Sequence, residues 1–328
     1  MTTGRVIDIQ INNKGTVVDN EDFDPSGSAD KLKNAMDGLG TNEQDILDEI
    51  ARHTFCQRQE IAEAYKTSYG KDLIDELKDE LGGDFEDACI ALMTKPRTFD
   101  ARQLHAAICG VGTDEHDLVE IMCSRTNDQL DEIKEEYQKE YEVSLEEDLV
   151  SDTSGYFGRL MVSLCATGRE QCDEVNWYEA QEDAQKFFDA GAGQWGTDEI
   201  QLNRILCLRS FEQLRAIFEK YQEIAGKEIE EDIESEMSGS MKDGFLALVE
   251  VARNKPRYFA KCLRRACEGW GTHDADLIRI IATRSEDDLQ EIKEEYQQLY
   301  EKSLEEEVES ECGGDYKRLL LKVVQGNC

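Results

Sequence analysis

The sequence predicts an all-α protein built from four homologous repeats, and three observations carry that prediction. A Gly-Thr step recurs in four similar settings: Gly38-Leu39-Gly40-Thr41, Gly110-Val111-Gly112-Thr113, Gln194-Trp195-Gly196-Thr197 and Gly269-Trp270-Gly271-Thr272. The glycine before each Thr stands at 40, 112, 196 and 271, with gaps of 72, 84 and 75, and such self-similarity marks a repeat architecture. Behind each step the same positions are apolar at helical spacing. Only 3 Pro and 24 Gly interrupt 328 residues, too few for a turn-rich all-β chain.

Each repeat reads in order as loop, helix and carboxylate. The glycines supply the unusual backbone angles of a tight loop. Thr is expected to cap the helix that follows, with acids such as Glu43 and Asp198-Glu199 facing the positive end of its dipole. Thirteen residues after the reference glycine come His53, Arg125, Arg209 and Arg284. His53 reads as a local packing variation rather than a pH modulator. Offsets of 18, 21, 25 and 29 give Leu130, Ile133, Tyr137 and Tyr141 in the second repeat and Leu289, Ile292, Tyr296 and Tyr300 in the fourth. The third gives Leu214, Ile217, Tyr221 and Ala225, and the first Arg58, Ile61, Tyr65 and Tyr69. Steps of 3, 4 and 4 follow the helical period, so each set marks one buried stripe. Forty residues after the glycine stands an acid, Glu80, Asp152, Glu236 or Glu311, each three residues before Gly83, Gly155, Gly239 or Gly314. Spacing alone leaves two readings for these acids, a solvated or helix-capping role and a metal-ligating one. Calcium chemistry suits the second. The ion takes about six to eight hard oxygens, a Gly-rich loop offers carbonyls without charge, and a distant carboxylate would supply it.

Residues 1–27 read as a separate N-terminal head, in which Gly4 to Asn12 alternates like a strand. The repeats fall at 28–98, 99–170, 182–257 and 258–328, with a linker at 171–181 in which Trp177 is structural. Eleven cysteines, several inside apolar helical patterns such as Cys123 and Cys207, read as free buried thiols of a reducing compartment. Zinc would ask for CxxC or Cys/His clusters, and the sequence displays neither; the histidines at 53, 105, 116 and 273 form no spaced pair. Met1 to Asp8 shows no secretory signal and no stretch approaches 18 apolar residues, so the expected location is cytoplasmic.

Charge excludes whole classes of function. Against 37 Lys plus Arg stand 73 acids, a formal charge of −36, which rules out direct binding to nucleic acid and unaided adsorption to an anionic membrane. No enzyme is expected: GxSxG and HExxH are absent. Gly191 to Gly196 matches GxGxxG, but a dinucleotide fold needs a strand before it, and Asp183 to Ala190 reads as helix. Asp19 to Asp30 lacks the glycine an EF-hand requires at its sixth place.

The Gly-x-Gly-Thr step followed by a carboxylate about forty residues on, in four copies, resembles the annexin family over nearly the whole chain. Lys14-Gly15-Thr16-Val17 before Phe23-Asp24 also resembles the segment leading into an annexin core. The resemblance implies about five helices per repeat in a curved right-handed superhelical disc. It implies Ca2+ loops on the convex face, the head on the opposite face, and calcium-dependent binding to anionic, phosphatidylserine-like phospholipid membranes. Carried over position by position, it implies carbonyl ligands at Met36, Gly38 and Gly40 with Glu80, and at Ile108, Gly110 and Gly112 with Asp152. It likewise implies Gly191, Gln194 and Gly196 with Glu236, and Cys267, Gly269 and Gly271 with Glu311. Secondary metal positions would be Thr41 with Glu43, Thr113 with Glu115 and Thr197 with Glu199. Leu39, Val111, Trp195 and Trp270 are the candidate membrane-contact residues, because an apolar loop tip is a liability in water and Trp favours the headgroup interface. A core position is the alternative for the two Trp residues.

One departure stands out. Annexin loops often carry a basic residue before the second carbonyl glycine, where this chain has Asp37, Cys109 and Glu268, so attraction to lipid rests more heavily on calcium. Several ions facing one membrane would gate reversible, cooperative adsorption, making the protein peripherally membrane-associated when calcium rises. The head is a candidate for protein partners, and calcium-driven self-association that bridges membranes is a further expectation. The rival reading is a calcium-independent helical-repeat scaffold that binds protein partners.

Overall fold

The structure, a computed structural model, describes residues 14–38, 40–110, 112–190, 199–269 and 271–327. The strand-like alternation expected over Gly4 to Asn12 lies outside them. Among the described residues the regular structure is helical, with no strand. The first repeat runs through α1 (Pro25–Met36), α2 (Glu43–Ala51), α3 (Phe55–Tyr69), α4 (Leu73–Glu80) and α5 (Gly83–Met93). The second has α6 (Pro96–Cys109), α7 (Glu115–Ser124), α8 (Asn127–Tyr141), α9 (Leu145–Asp152) and α10 (Gly155–Cys165). The third has α11 (Trp177–Ala190), α12 (Glu199–Leu208), α13 (Phe211–Ala225), α14 (Ile229–Glu236) and the first part of α15 (Gly239–Cys267). The rest of α15 opens the fourth, followed by α16 (Asp274–Arg284), α17 (Leu289–Tyr300), α18 (Leu304–Glu311) and α19 (Gly314–Gln325).

Five helices per repeat follow once α15 is divided at Asn254, whose backbone is extended (φ −160°, ψ 97°). Asn254 Oδ1 accepts the Arg257 N–H at 3.0 Å, so it serves as N-cap of the second half. Pro256 sits in the first turn that follows, where a missing N–H costs nothing.

The chain divides into two compact units, residues 14–94 with 259–327, and residues 95–258. The first unit therefore holds repeats one and four, in which α5 packs on α16 and α2 on α19. The second holds repeats two and three, in which α10 packs on α7 and α12. Segment 14–24 is fastened to the first unit. The Thr16 and Val17 N–H groups donate to the Ser285 carbonyl at 2.8 and 3.0 Å, and Thr16 Oγ1 donates to Val323 at 2.6 Å. A Cβ on Gly15 would lie 2.7 Å from that same carbonyl oxygen, so only glycine fits.

The predicted stripe is core. Ile61, Tyr65, Ile133, Tyr137, Ile217, Tyr221, Ile292 and Tyr296 are at most 2% exposed, and each such side chain contributes about 1.5–3 kcal/mol. The outermost position differs. Tyr69, Tyr141, Ala225 and Tyr300 are half-buried because their helices end there. The three tyrosines lean on the stripe Tyr one turn back, with ring centroids 5.1, 4.9 and 4.8 Å apart. Arg58 replaces the leucine of the other repeats yet is buried. Its guanidinium donates to the Ile50 and Leu92 carbonyls at 2.8 and 2.9 Å, and burial pulls its pKa to about 10.

The residues at offset thirteen are charge partners. Arg125 pairs with Asp100, Arg209 with Asp183 and Arg284 with Asp288. His53 stands in for the guanidinium, fully buried, with Phe23 edge-on at 5.1 Å. The Glu49 carbonyl at 2.7 Å can only accept, so Nδ1 carries the proton, and Nε2 is buried without a partner. Burial foremost, with Arg52 and Arg58 nearby, holds its pKa below the ordinary 6.5. The unfolded chain therefore binds a proton that the folded chain refuses. Stability owed to neutral His53 is present above the ordinary pKa and is lost as pH falls through it. Between about pH 7 and about pH 5.5 the urea midpoint of the wild type is expected to fall, this residue contributing at most about 1.4 kcal/mol per pH unit. His53→Gln should flatten that slope.

Trp177 is the first residue of α11, not part of an irregular linker; it is half-exposed, with the Lys220 ammonium 5.6 Å from its ring centroid. Cys89, Cys123, Cys165 and Cys207 are buried thiols, and burial pushes Cys207 up to about 12. Among the described residues no helix is long and apolar enough to cross a membrane.

Candidate calcium loci

Each candidate carboxylate is the last residue of a helix: Glu80 closes α4, Asp152 α9, Glu236 α14 and Glu311 α18. Beyond each comes an extended link and then a left-handed glycine that opens the next helix: Gly83, Gly155, Gly239 and Gly314, with φ of 61°, 62°, 65° and 60°. A helix C-terminus presents partial negative charge, so a carboxylate there costs about 0.3–1 kcal/mol. All four are exposed, and none pairs with a Lys or Arg among the described residues. The helices that carry them are nevertheless firmly held. Tyr65 donates to Glu76 at 3.3 Å, Tyr137 to Asp148 at 2.6 Å and Tyr221 to Asp232, so a tyrosine of the buried stripe anchors the turn before the terminal acid.

Three of the four loops fall within the described residues except at their middle positions, 39, 111 and 270. Gly38, Gly40, Gly112, Gly269 and Gly271 have φ of 114°, 97°, 89°, 122° and 95°, where a side chain would cost of order 1–3 kcal/mol. Met36, Ile108 and Cys267, the first carbonyl position of each set, are buried at the last turn of α1, α6 and α15. One hydrogen bond closes each loop: the N–H of Asn42, Asp114 or His273 donates to Ala35, Ala107 or Ala266 at 2.8 Å. Those three residues, not the threonines, are the N-caps. The Asn42 and Asp114 side chains accept helix amides and leave the Thr hydroxyls to reach elsewhere. Thr41 Oγ1 donates to Glu80 Oε2 at 3.2 Å, and Thr113 Oγ1 to the Asp152 carbonyl at 3.2 Å. Thr272 turns instead to Asp274 Oδ1 at 2.7 Å. In the fourth repeat, burial first, then Glu307, Cys312 and Glu311, push the Cys267 thiol up to about 12. Gly191, Gln194, Gly196 and Thr197 lie outside the described residues, as do Leu39, Val111, Trp195 and Trp270. Asp37 and Glu268 are neutralised along their own helices, Asp37 by Lys33 at 2.5 Å and Glu268 by Arg264 at 2.8 Å.

Glu43, Glu115 and Glu199 open α2, α7 and α12. Asp274 opens α16 at the same offset, three residues after Gly271, and is the fourth carboxylate of that set, missing from the sequence expectation. In the first unit Glu43, Glu80, Asp84, Asp274, Glu311 and Asp315 line one depression of about 520 Å³. Burial, then Asp274 and Asp87, raise the Asp84 pKa. Spacing within one repeat carries no sign of this gathering, which comes from two repeats folding into one unit.

Two further readings are settled by geometry. A helix, α11, leads into Gly191, so the GxGxxG string lacks the strand that a dinucleotide site needs. The expectation of no Cys/His cluster is corrected: His105 and Cys109 of α6 meet Asp148 of α9, their ligand atoms all within 4.8 Å of one another. The signal was a spacing of one helical turn, which sets two side chains on one face.

The annexin family model matches residues 27–92, 99–164, 182–248 and 258–323. Annexin A11 of Oryctolagus cuniculus is 44% identical over 325 residues, 99% of this chain but 65% of that relative's length. The solved structure of annexin III is similar with a TM-score of 0.94 and 40% identity, covering 96% of this chain and 98% of that one. Calcium-bound annexin (Sm)1 gives 0.85 and 31%, over 95% and 93%. With four copies of one helical unit, each matched by the same family model, this chain belongs to the annexin family.

Proposed function

We propose that this chain is a non-enzymatic, peripheral protein that binds anionic phospholipid reversibly when calcium is present. The ions would be held by the carbonyls of Met36, Gly38 and Gly40 with Glu80, and by the corresponding sets that end on Asp152, Glu236 and Glu311. Glu43, Glu115 and Glu199, with their preceding threonines, and Asp274 would offer weaker oxygens beside them. The observation that carries the reading is the placement of the four exposed carboxylates. They stand unpaired at the negative ends of helices, in a chain already at −36, and a divalent cation relieves that repulsion.

Each ion would add two positive charges where the acids otherwise oppose a leaflet at about −30 mV. Beyond about 8 Å the remaining acids are largely screened, so attraction at the loops prevails locally. Lipid phosphate oxygens would complete the shells, with Leu39, Val111, Trp195 and Trp270 against the headgroups. The protein is expected to sediment with phosphatidylserine vesicles in calcium and to remain in the supernatant in EGTA. Equal sedimentation in both, or none in either, would end this reading.

A further inference from the structure

We propose that His105, Cys109 and Asp148 form a binding site for a zinc-class divalent transition ion, adjoining the second calcium locus but sharing no ligand atom with it. His105 and Cys109 lie one turn apart near the end of α6, and Asp148 comes from α9. His105 Nδ1 is 3.5 Å from Cys109 Sγ. Bonds of about 2.1 Å to nitrogen and about 2.3 Å to sulfur, opened to the tetrahedral angle, span about 3.6 Å. The two donors of α6 thus already sit at the edge length of a tetrahedral zinc shell. Tyr141 stacks on the imidazole with centroids 3.6 Å apart, which fixes the ring plane. The Tyr137 hydroxyl touches both Nδ1, at 3.0 Å, and Asp148 Oδ2, at 2.6 Å, and would remain as an outer partner of the carboxylate. Cys109 is exposed and the other two are half-buried, so water can supply a fourth ligand while the thiol proton leaves to solvent. A nitrogen, sulfur and oxygen donor set selects against calcium, which takes oxygens only.

A second observation comes from comparing the repeats. At the positions of His105 and Cys109, the first and fourth repeats hold ion pairs, Lys33 with Asp37 and Arg264 with Glu268. Their cations lie over the rings of Tyr69 and Tyr300, as His105 lies on Tyr141. The acid equivalent to Asp148 has its own cation in every other repeat: Glu76 pairs with Lys71, Asp232 with Lys227 and Glu307 with Lys302. The second repeat has Val143 where those lysines stand, and no Lys or Arg pairs with Asp148 among the described residues. This repeat therefore lacks both neighbouring cations and carries two neutral metal donors in the same place. A half-buried carboxylate without a counter-charge is costly, and a bound divalent ion removes that cost.

The test uses Co2+ as a spectroscopic stand-in, added to the full chain in excess calcium so that the oxygen loci are filled. A single equivalent is expected to give thiolate-to-cobalt charge-transfer absorption and tetrahedral d–d bands. Cys109→Ser should abolish the charge-transfer band, His105→Gln and Asp148→Asn should each weaken binding about ten-fold or more, and Cys172→Ser should change nothing. In the unmutated chain, Zn2+ should protect Cys109 from iodoacetamide while the exposed Cys172 continues to react. A missing charge-transfer band, a band that survives Cys109→Ser, or unprotected alkylation of Cys109 would overturn the site. Each of these outcomes leaves the vesicle sedimentation result untouched.

Discussion

Combining Glu80→Gln, Asp152→Asn, Glu236→Gln and Glu311→Gln is expected to abolish calcium-dependent sedimentation with phosphatidylserine vesicles without destabilising the calcium-free protein. Each change keeps an oxygen acceptor, so the Thr41 bond to residue 80 survives. What it removes is the principal side-chain charge of the locus, on which calcium affinity depends steeply; the calcium needed should rise on the order of 100-fold or more. In EGTA the same changes remove negative charge from four helix C-termini, a gain of about 0.3–1 kcal/mol each. Loss of binding alongside an unchanged or higher urea midpoint in EGTA is the expected pair of results. Unaltered calcium-dependent sedimentation would mean that calcium acts through ligands other than these four acids, and a midpoint lowered by several kcal/mol would make the acids structural.

Asp100→Ala is expected to be the most destabilising single substitution considered for the second unit, costing about 3–5 kcal/mol by urea denaturation. Its carboxylate is fully buried and bidentate on Arg125, with Nε at 2.9 Å and the second guanidinium nitrogen at 2.8 Å, and Arg97 adds a contact at 2.6 Å. Arg125 itself is buried, so removing the acid strands guanidinium charge out of water's reach. The exposed pair of Lys220 and Glu223 is the contrast: Glu223→Ala there should cost less than about 1 kcal/mol. Equal costs would mean that burial does not govern these pairs.

The buried stripe was legible because burial along a helix repeats in the chain itself: Ile61, Tyr65, Ile133 and Tyr137 fall at the spacing that places them on one face. The four carboxylates were legible for the same reason, four copies at one offset. Contrary to expectation, Thr41, Thr113 and Thr272 do not cap the helices that follow them, while Thr197 lies outside the described residues. Propensity admits Thr at an N-cap, but Asn42 and Asp114 are the better acceptors one residue later, which leaves Thr41 and Thr113 to reach toward the segment that carries the acid. Asp274 stands at the same offset from its loop glycine as Glu43, Glu115 and Glu199, so its place is written in the spacing as plainly as theirs.

By itself, then, the sequence determined the repeat, its helices, the core faces and the equivalence of the four acids that end α4, α9, α14 and α18, because each of these is a periodic property read along one length of chain. Tertiary structure decided what lies beside what. It drew Asp84 and Asp274 from different repeats into one depression, and set Asp148 against His105 and Cys109 without a lysine to balance it. Such meetings depend on how helices distant in sequence pack, and packing is satisfied by shape and apolar area, which leave no regular mark on the polar residues they bring together.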